Sequence, residues 1–284
     1  MNRIKPFIEI VRPSNIVLFF MAISLGGIMV GGFDAFFHIK VYLAAISGTL
    51  IGGAGNVIND IQDVEIDKIN KPNRPLITGA LSINAAKWFW VWLNLVGFLL
   101  AWLISKEAVA IAGASILILF VYSLFFKRQV LIGNLVVCTI ISLAFVYGAM
   151  AYGKLEGIVF PIIFSFLFNF GREVLKDLED VEGDKSAGAR TLAIQLGTKK
   201  TLSLVSTVYV VLIGLSIWPY LTGEYGLLYV ISIMLFTNTI VLYVVVRSWR
   251  EQTKQNFYKM NTILKIAMLT GILSIAVGKI SLLE

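Results

Sequence analysis

The chain has 284 residues, of which 58% are hydrophobic and only 14% charged, and it carries a formal net charge of +7. A soluble domain has roughly a quarter charged residues, so this composition favours a protein embedded in lipid. The single cysteine, Cys138, and the single histidine, His38, exclude a disulfide framework and a zinc site built from several Cys or His ligands. Because Cys138 falls in an apolar run and His38 in a predicted extracellular loop, catalysis by a Ser-His-Asp or Cys-His arrangement is not indicated.

Apolar stretches of about 20 residues, the length that crosses a bilayer, recur along the chain. They predict nine transmembrane helices, at 14–33, 41–59, 86–104, 108–126, 131–151, 157–175, 201–221, 226–246 and 262–281. The first stretch is too long for the core of a signal peptide, so we expect it to remain as the first span. The sequence therefore predicts one integral membrane domain, 1–284, built only of α-helices.

The distribution of Lys and Arg predicts the orientation. With these boundaries, all but four of the 24 Lys and Arg residues lie at the N-terminus or in the even-numbered connections. Because cytoplasmic loops carry the excess of positive charge, we expect the N-terminus in the cytosol and the C-terminus outside. Topology and attraction to anionic head groups explain the net charge, so nucleic-acid binding is not indicated. The long connections 60–85 and 172–200 are predicted to form a cytosolic cap.

One acidic pattern occurs twice. The sequence DIQDVEIDK, which starts at Asp60, recurs as DLEDVEGDK, which starts at Asp177. Each copy follows an even-numbered predicted span, and the two copies are four spans apart. This arrangement predicts two four-helix units in parallel orientation plus a ninth helix, with a functional site where the two units meet.

The acidic residues of both copies have the spacing i, i+3 and i+7, which places side chains on one face of a helix. These residues are Asp60, Asp63 and Asp67 in the first copy and Asp177, Asp180 and Asp184 in the second, and Asn59 adds a neutral carbonyl oxygen. Such a stripe of carboxylates is costly unless cations bind to it. Oxygen ligands without His or Cys favour Mg²⁺, which is commonly shared between carboxylates and phosphate oxygens. A run of solvated charges explains one copy, but two copies at equivalent positions favour a site for Mg²⁺ and a diphosphate.

Basic residues surround both motifs. The candidates for contacts with the diphosphate or another part of a substrate, together with one tyrosine, are Lys68, Arg74, Tyr122, Lys127, Arg128, Arg172, Lys176 and Arg190. For about half of the cations, the general excess of positive charge in cytosolic loops is sufficient to account for their presence.

These motifs resemble the signatures of the UbiA superfamily of intramembrane prenyltransferases. The first is NDxxDxxxD from Asn59, followed by KPxRPL from Lys71; the second is KDxxDxxGD from Lys176; and YSLFFKR from Tyr122 resembles a third, weaker element. The resemblance covers nearly the whole chain. It implies a helical bundle around a central cavity that opens sideways to lipid, with a cytosolic cap above a site for Mg²⁺ and diphosphate. The implied reaction transfers an isoprenoid chain from its diphosphate to a hydrophobic acceptor.

The resemblance also implies roles for individual residues. One Mg²⁺ ion would be held by Asn59, Asp63 and Asp67, and a second by Asp180 and Asp184. Asp60 and Asp177 are implied as further ligands, or as partners of Lys68 and Lys176.

Within the superfamily, the chain is most similar to archaeal members that form the second ether bond of membrane lipids. The similarity lies in GREVLKDLEDVEGDK from Gly171 and in VRPSN from Val11. In those members the donor is geranylgeranyl diphosphate and the acceptor is geranylgeranylglyceryl phosphate. Such an acceptor brings a second phosphate, and Arg172 and Arg190 are the cations expected to bind it.

Three other functions remain open from the residues. The nearest is an aromatic prenyltransferase of the same superfamily that acts on a quinone precursor. A CDP-alcohol phosphotransferase also uses spaced aspartates, but its motif begins DGxxAR and no such run precedes either motif here. A cation or substrate transporter would also account for an internal repeat, but transport sites usually lie near the membrane midplane, whereas these acidic residues lie at the cytosolic rim.

Overall fold

The computed structural model describes residues 4–127 and 129–280, and within these residues the secondary structure is entirely helical. The α-helices are α1 (Lys5–Ile10), α2 (Pro13–Gly31), α3 (Ile39–Gln62), α4 (Val64–Asn70), α5 (Ile83–Trp102), α6 (Lys106–Val121), α7 (Ile132–Tyr152), α8 (Val159–Ser186), α9 (Leu192–Leu215), α10 (Trp218–Leu221), α11 (Leu227–Ser232), α12 (Thr239–Arg250) and α13 (Lys254–Ile280). A 3₁₀ helix follows α2 at Gly32–Phe37, and π-helical turns occur at Tyr122–Phe126 and Ile233–Asn238. The predicted all-α fold is confirmed.

Most of these helices belong to membrane-spanning segments. Eight segments of the described chain are long and apolar enough to cross a membrane: Pro13–Phe37, Ile39–Gln62, Ile83–Trp102, Lys106–Phe126, Ile132–Tyr152, Leu192–Leu221, Leu227–Arg250 and Lys254–Ile280. A further long helix, α8, begins with an apolar half and ends in the charged second motif. The eight segments and α8 correspond one to one to the predicted spans, and the chain is a multi-pass membrane protein.

Glycines allow α2 and α7 to approach each other closely. A Cβ atom on Gly148 would collide with the carbonyl oxygen of Ile23, and one on Gly26 with the carbonyl oxygen of Phe145. In membranes, small residues at helix interfaces permit this close backbone packing. A larger side chain at either glycine would therefore separate the two helices.

The buried apolar side chains form two principal clusters. One joins α2, α3, α6 and α7 around residues such as Ile23, Ala44 and Tyr147. The larger cluster joins α8, α9, α12 and α13 with parts of α2 and α7, around residues such as Val174 and Leu264. The central cavity is lined by helices from both clusters, so packing in each half positions one wall of the site.

The two long connections are more helical than the sequence predicts. The expected connection 172–200 is reduced to 187–191, because α8 continues to Ser186 and α9 begins at Leu192. The segment 60–85 contains the end of α3 and all of α4. A helix satisfies its backbone hydrogen bonds internally, so it need not end where the apolar span ends. Hydropathy detects only the part of the helix inside lipid.

The first motif does not lie on one continuous helix. Helix α3 ends at Gln62, the backbone leaves helical geometry at Asp63 (φ −97°, ψ 8°), and α4 then begins at Val64. The expected stripe through Asp60, Asp63 and Asp67 is therefore interrupted at Asp63, although hydrogen bonds from Asp63 N to the Asn59 carbonyl oxygen and from Asp67 N to the Asp63 carbonyl oxygen continue the helical pattern. The second motif lies within the unbroken helix α8, as predicted.

Candidate active site

A cavity of about 210 Å³ lies between the two motifs and continues into the membrane part of the bundle. The residues of both motifs that line it are Asn59, Asp63, Asp67, Asp177, Asp180 and Asp184. The deep part is mainly apolar and includes Ile51, Ala112 and Tyr147. The cavity therefore combines a carboxylate-rich end at the motifs with an apolar interior.

In the first motif, each aspartate is paired with a cation from another part of the chain. Asp63 accepts a hydrogen bond from Lys127, which follows the π-helical turn, and Asp67 accepts one from Arg74. Asp60 lies behind the cavity wall, with Arg12 Nη2 at 2.6 Å and Arg74 Nη1 at 2.9 Å from its Oδ1. The predicted pairing of Asp60 with Lys68 is wrong. Asp60 instead forms ion pairs with Arg12 and Arg74.

The second motif is less fully paired. Asp177 accepts a hydrogen bond from Asn134 Nδ2 at 3.2 Å, and Asp180 Oδ1 lies 3.3 Å from Lys71 Nζ. Among the ion pairs of the described residues, none involves Asp184. The expected pairing of Asp177 with Lys176 is also absent from these ion pairs, because Lys176 contacts Glu173 instead.

Burial and charge determine the protonation of the first motif. Burial raises the pKa of Asp67 to about 6. The negative charges of Asp63 and Asp60 raise this pKa further, and the positive charge of Arg74 opposes them only in part. Burial also acts to raise the pKa of Asp63, but Lys127, through its charge and hydrogen bond, and Arg74 outweigh burial and lower this pKa. An additional cation near Asp67 would thus favour the ionised form of its carboxyl group.

On the cavity wall formed by α8, two cations, Arg172 and Lys176, contact the carboxylate of Glu173. Arg172 Nη1 is 3.0 Å and Lys176 Nζ is 3.3 Å from the Glu173 carboxylate. Two positive charges thus share one negative charge at this point of the wall, while Asp177, Asp180 and Asp184 line the same cavity further along α8. Arg172 and Lys176 together favour the phosphate groups of a substrate.

Most of the predicted binding residues are brought together, but not all. The cations and the tyrosine that line the cavity are Arg74, Tyr122, Lys127, Arg172 and Lys176. Lys68 instead pairs with Glu65 on the exposed surface, and Arg190 is exposed outside the cavity lining. Lys68 and Arg190 are therefore not supported as binding residues. Arg128 lies outside the described residues.

Several cavity residues are missed by sequence reasoning. Arg12 lines the cavity in a left-handed backbone conformation (φ 59°, ψ 81°), which is uncommon outside glycine and often occurs at functional sites. Asn134 and Glu173 also line the cavity, and Ser123 donates a hydrogen bond to Asn59. The signals in the sequence are the positions of Arg12 and Glu173 inside the runs that resemble the archaeal lipid enzymes, and of Ser123 inside the third element that resembles the family.

Contacts between α4 and α8 set the distance between the motifs. The Asn70 side chain accepts a hydrogen bond from Gly183 N (3.1 Å) and donates one to the carbonyl oxygen of Asp180 (3.0 Å). Lys71 forms an ion pair with Glu179 and lies 5.4 Å from the ring centroid of Tyr258. These contacts hold the end of α4 directly on the second motif.

The donor set fits Mg²⁺ that is shared with a substrate. In residues 4–127 and 129–280, no group of three or more His, Cys, Asp or Glu side chains is arranged to hold a metal ion by itself. However, Mg²⁺ is usually bound through one or two carboxylates plus substrate phosphates and water, rather than by a complete protein cage. Carboxylates from two motifs that line one cavity, with cations beside them, provide this incomplete set.

Comparison with known sequences identifies the family. A sequence model of the UbiA prenyltransferase family matches residues 17–269, which is most of the chain. The chain belongs to the UbiA prenyltransferase family. It is therefore a membrane prenyltransferase, and the expected bundle around a central cavity agrees with the structure.

Similar UbiA-family proteins include archaeal enzymes named digeranylgeranylglyceryl phosphate synthase. The enzyme of Methanosphaera stadtmanae is 32% identical over 96% of this chain and 99% of its own length. The enzyme of Thermococcus sibiricus is 36% identical over 98% of each chain.

Solved structures share the fold. A structure from a study of digeranylgeranylglyceryl phosphate synthase in membranes has a TM-score of 0.74 and 32% identity, and the alignment covers 99% of this chain and 100% of the other. A UbiA homologue from Archaeoglobus fulgidus, bound to GPP and Mg²⁺, has a TM-score of 0.71 and 19% identity, with 96% of this chain and 100% of that chain covered. At this lower identity, the comparison establishes the common fold alone.

Proposed function

We propose that this UbiA-family prenyltransferase transfers the geranylgeranyl group of geranylgeranyl diphosphate to the free hydroxyl of geranylgeranylglyceryl phosphate. The product has the second ether bond of an archaeal membrane lipid. The observation that carries the proposal is the cavity with aspartates of both motifs at one end and an apolar interior at the other. Relatives named for this activity, at 31–36% identity over most of the chain, support the choice of acceptor.

The donor is proposed to lie along α3, with its diphosphate between the motifs. From Asn59 down to Gly48, both of which line the cavity, α3 rises about 16 Å at 1.5 Å per residue. This length provides an apolar path for a long prenyl chain. Lys127, Arg74 and Lys176 are placed to neutralise phosphate charge.

The metal ligands remain those expected from the family resemblance. Asn59, Asp63 and Asp67 are proposed to hold one Mg²⁺, and Asp180 and Asp184 a second. When bound, Mg²⁺ stabilises negative charge on the departing diphosphate. The protein residues contribute by bringing these oxygens and the nearby cations to one end of the cavity before the substrate arrives.

In the proposed reaction, the hydroxyl oxygen of the acceptor forms a bond to C1 of the donor. The bond from C1 to the diphosphate oxygen breaks, the diphosphate leaves with the electron pair, and the hydroxyl proton is released. The apolar cavity walls exclude water, which would otherwise compete with the acceptor hydroxyl for C1. The reacting oxygen and C1 must approach to about 3–3.5 Å.

The positive residues at the N-terminus and in the even-numbered connections support an orientation with the active site on the cytosolic side. The N-terminus is then cytosolic and the C-terminus lies outside. The chain is proposed to act as one membrane domain, 1–284. Since the chain belongs to a prenyltransferase family, the phosphotransferase and transporter hypotheses are not retained.

The test is product formation from labelled geranylgeranyl diphosphate and Mg²⁺ by the purified protein. Three acceptors are compared: geranylgeranylglyceryl phosphate, 4-hydroxybenzoate and a naphthoate. The variants Asp63→Ala and Asp180→Ala are compared with Asp34→Ala, which replaces an exposed carboxylate and serves as the control. We expect a diether from the glyceryl phosphate alone, lost in both motif variants and retained in the control. A prenylated aromatic ring would overturn the proposed acceptor and favour the quinone-precursor enzyme.

A further inference from the structure

A second cavity, of about 110 Å³, lies next to the first and has a mainly apolar lining. We call it the second chamber; its walls come from α2, α7, α8, α9, α13 and the π-helical turn Ile233–Asn238. Asn15, Phe19, Ile141 and Arg172 line both cavities, so the two spaces meet at these residues. A ligand in one space therefore directly neighbours a ligand in the other.

The junction of the two spaces is positively charged. Lys265 lines the second chamber with Arg172, and its Nζ donates a hydrogen bond to Ser14 Oγ at 2.7 Å. Among the ion pairs of the described residues, none involves Lys265. Lys176 on the same wall of α8 adds a third positive charge, and the acidic group paired with Arg172 and Lys176 is Glu173.

The position of Lys265 within a membrane-spanning segment, Lys254–Ile280, indicates a function. Asn261 on α13 donates a hydrogen bond to Glu179 on α8 (2.9 Å), and Lys265 lies about one helical turn further along α13 from that contact. An ionisable residue within a membrane span is costly and usually marks a ligand or ion pathway. This lysine therefore indicates a negatively charged ligand group below the aspartate motifs.

Unpaired polar atoms at the same place also point to a ligand. Asn169, which is only 1% exposed, lines the second chamber and has no hydrogen-bond partner for its Oδ1. The buried Nε of Arg172 also has no partner. Buried polar atoms are normally satisfied, so one acceptor and one donor remain available to a bound molecule.

We propose that the second chamber holds the hydrocarbon chain of the acceptor lipid and that Lys265 and Arg172 bind the acceptor phosphate. This inference rests on the proposed function, in which the acceptor carries its own phosphate and its own long chain. The donor chain occupies the first cavity, so the acceptor chain requires a separate apolar space that meets the first near the reacting carbon. The second chamber has this position, and its mouth has the required positive charge.

The kinetic test compares Lys265→Gln with Lys265→Arg and with Lys259→Gln, an exposed lysine on the same helix. A hydrogen-bonded charge at a phosphate accounts for roughly a tenfold change in affinity. We expect Lys265→Gln to raise the KM for geranylgeranylglyceryl phosphate about tenfold, while the KM for the donor changes less than about twofold. Lys265→Arg and Lys259→Gln should retain the wild-type KM for the acceptor.

A phosphate-free acceptor separates charge recognition from general damage. With geranylgeranylglycerol, Lys265→Gln should have the same kcat/KM as the wild type, because no phosphate is present to lose its contact. An equal loss with both acceptors, or a change confined to the donor KM, would overturn the assignment of the phosphate to Lys265.

Filling the chamber provides a second, independent variant. A Cβ on Gly271 would meet Thr237 at an ordinary contact distance of 3.6 Å, so Gly271→Ala should fold. Gly271→Leu extends into the chamber and should raise the acceptor KM without changing the donor KM. If Gly271→Leu shifts the donor KM instead, the second chamber belongs to the donor and the proposal is wrong.

Direct binding distinguishes failure of this inference from failure of the proposed function. Binding of geranylgeranylglyceryl phosphate is measured in the Asp63→Ala background, with and without Lys265→Gln, in the absence of the donor. If the wild type forms the diether but Lys265→Gln leaves this binding unchanged, the inference is wrong and the function stands. If the wild type forms no diether, the proposed function fails. Equal competition by phosphatidylglycerol would identify a site for membrane lipid head groups and overturn the acceptor site.

Discussion

The two aspartate motifs have nearly the same sequence but different surroundings. In the first motif, on α3 and α4, the three aspartates are all paired with Lys or Arg residues from other segments. In the second, on α8, Asp180 has a lysine at 3.3 Å, Asp177 has an amide partner, and no ion pair of the described residues involves Asp184. The first motif is largely neutralised by the protein, and the second is not.

This difference indicates how the carboxylate charge of each motif is compensated when a substrate binds. Cations already next to the first motif can stabilise its buried carboxylates and also contact phosphate oxygens. The second motif lacks this compensation, so a metal ion contributes more to its charge balance. Four predictions test this comparison.

The largest expected effect is that of metal removal. Chelation with EDTA should abolish product formation, because both motifs are proposed to contact the diphosphate through Mg²⁺. Activity is measured before and after chelation and again after excess Mg²⁺ is added. Recovery with Mg²⁺ is expected; full activity in the presence of EDTA would contradict the metal site in both motifs.

Replacing one metal ligand in each motif should have the next largest effect. Asp67→Asn and Asp184→Asn are each expected to lower kcat/KM by about 10²–10³-fold, since each loses stabilisation of charge that develops during the reaction. Glu65→Gln, an exposed carboxylate in the first motif with 81% of its side chain accessible, is the matched control and should be nearly neutral. A normal kcat/KM for Asp184→Asn alone would show that only the first motif holds a metal ion.

The cation beside Asp63 should contribute to stability mainly when no metal is bound. Lys127→Met leaves a buried carboxylate without its partner, and breaking a buried pair costs up to about 3–5 kcal/mol. Because Lys127 is a quarter exposed, we expect a smaller loss of about 2 kcal/mol in the free energy of unfolding without Mg²⁺.

Thermal unfolding in detergent measures this loss, and Mg²⁺ should restore much of it by replacing the missing charge. Lys68→Met removes an exposed ion pair and should change the free energy of unfolding by less than about 0.5 kcal/mol. A loss that Mg²⁺ does not reduce would show that Lys127 acts through packing rather than charge.

The smallest expected effect lies where the two motifs touch. A Cβ on Gly183 would collide with the Asn70 side chain, which is held by two hydrogen bonds, so Gly183→Ala should destabilise the protein by about 1–2 kcal/mol. In an Asn70→Ala background the collision disappears, and Ala is favoured over Gly in a helix by about 1 kcal/mol. The same substitution should then be neutral or stabilising, as judged from thermal midpoints in a double-mutant cycle. Equal destabilisation in both backgrounds would contradict the contact.

Much of the fold follows from local sequence. A span of about 20 apolar residues must form a helix in lipid, because only intrahelical hydrogen bonds satisfy its backbone there. The predicted spans therefore agree with the observed helices to within a few residues at their apolar ends, as in 131–151 and Ile132–Tyr152. Their charged extensions beyond the apolar spans are not predicted, because hydropathy carries no information on how far a helix continues into water.

The site could be predicted only in part. The aspartates proposed to bind metal are identifiable, because an acidic pattern repeated at equivalent positions is rarely a run of ordinary solvated charges. Their partners are not, since Arg12 is close to Asp60, and Lys127 to Asp63, only after distant segments pack together. Lys265 lies within a predicted span, and its significance depends on the neighbouring Arg172 and the second chamber, which the sequence does not reveal.

The sequence by itself determined the all-helical membrane fold, the order of the spans, the family and the two acidic motifs. These features depend on residue type and spacing along the chain, which act over one helix or one loop. The tertiary structure decided the break at Asp63, the cation that pairs with each aspartate of the first motif, and the junction between the two cavities. Those features depend on distances between side chains far apart in sequence, and packing alone sets such distances.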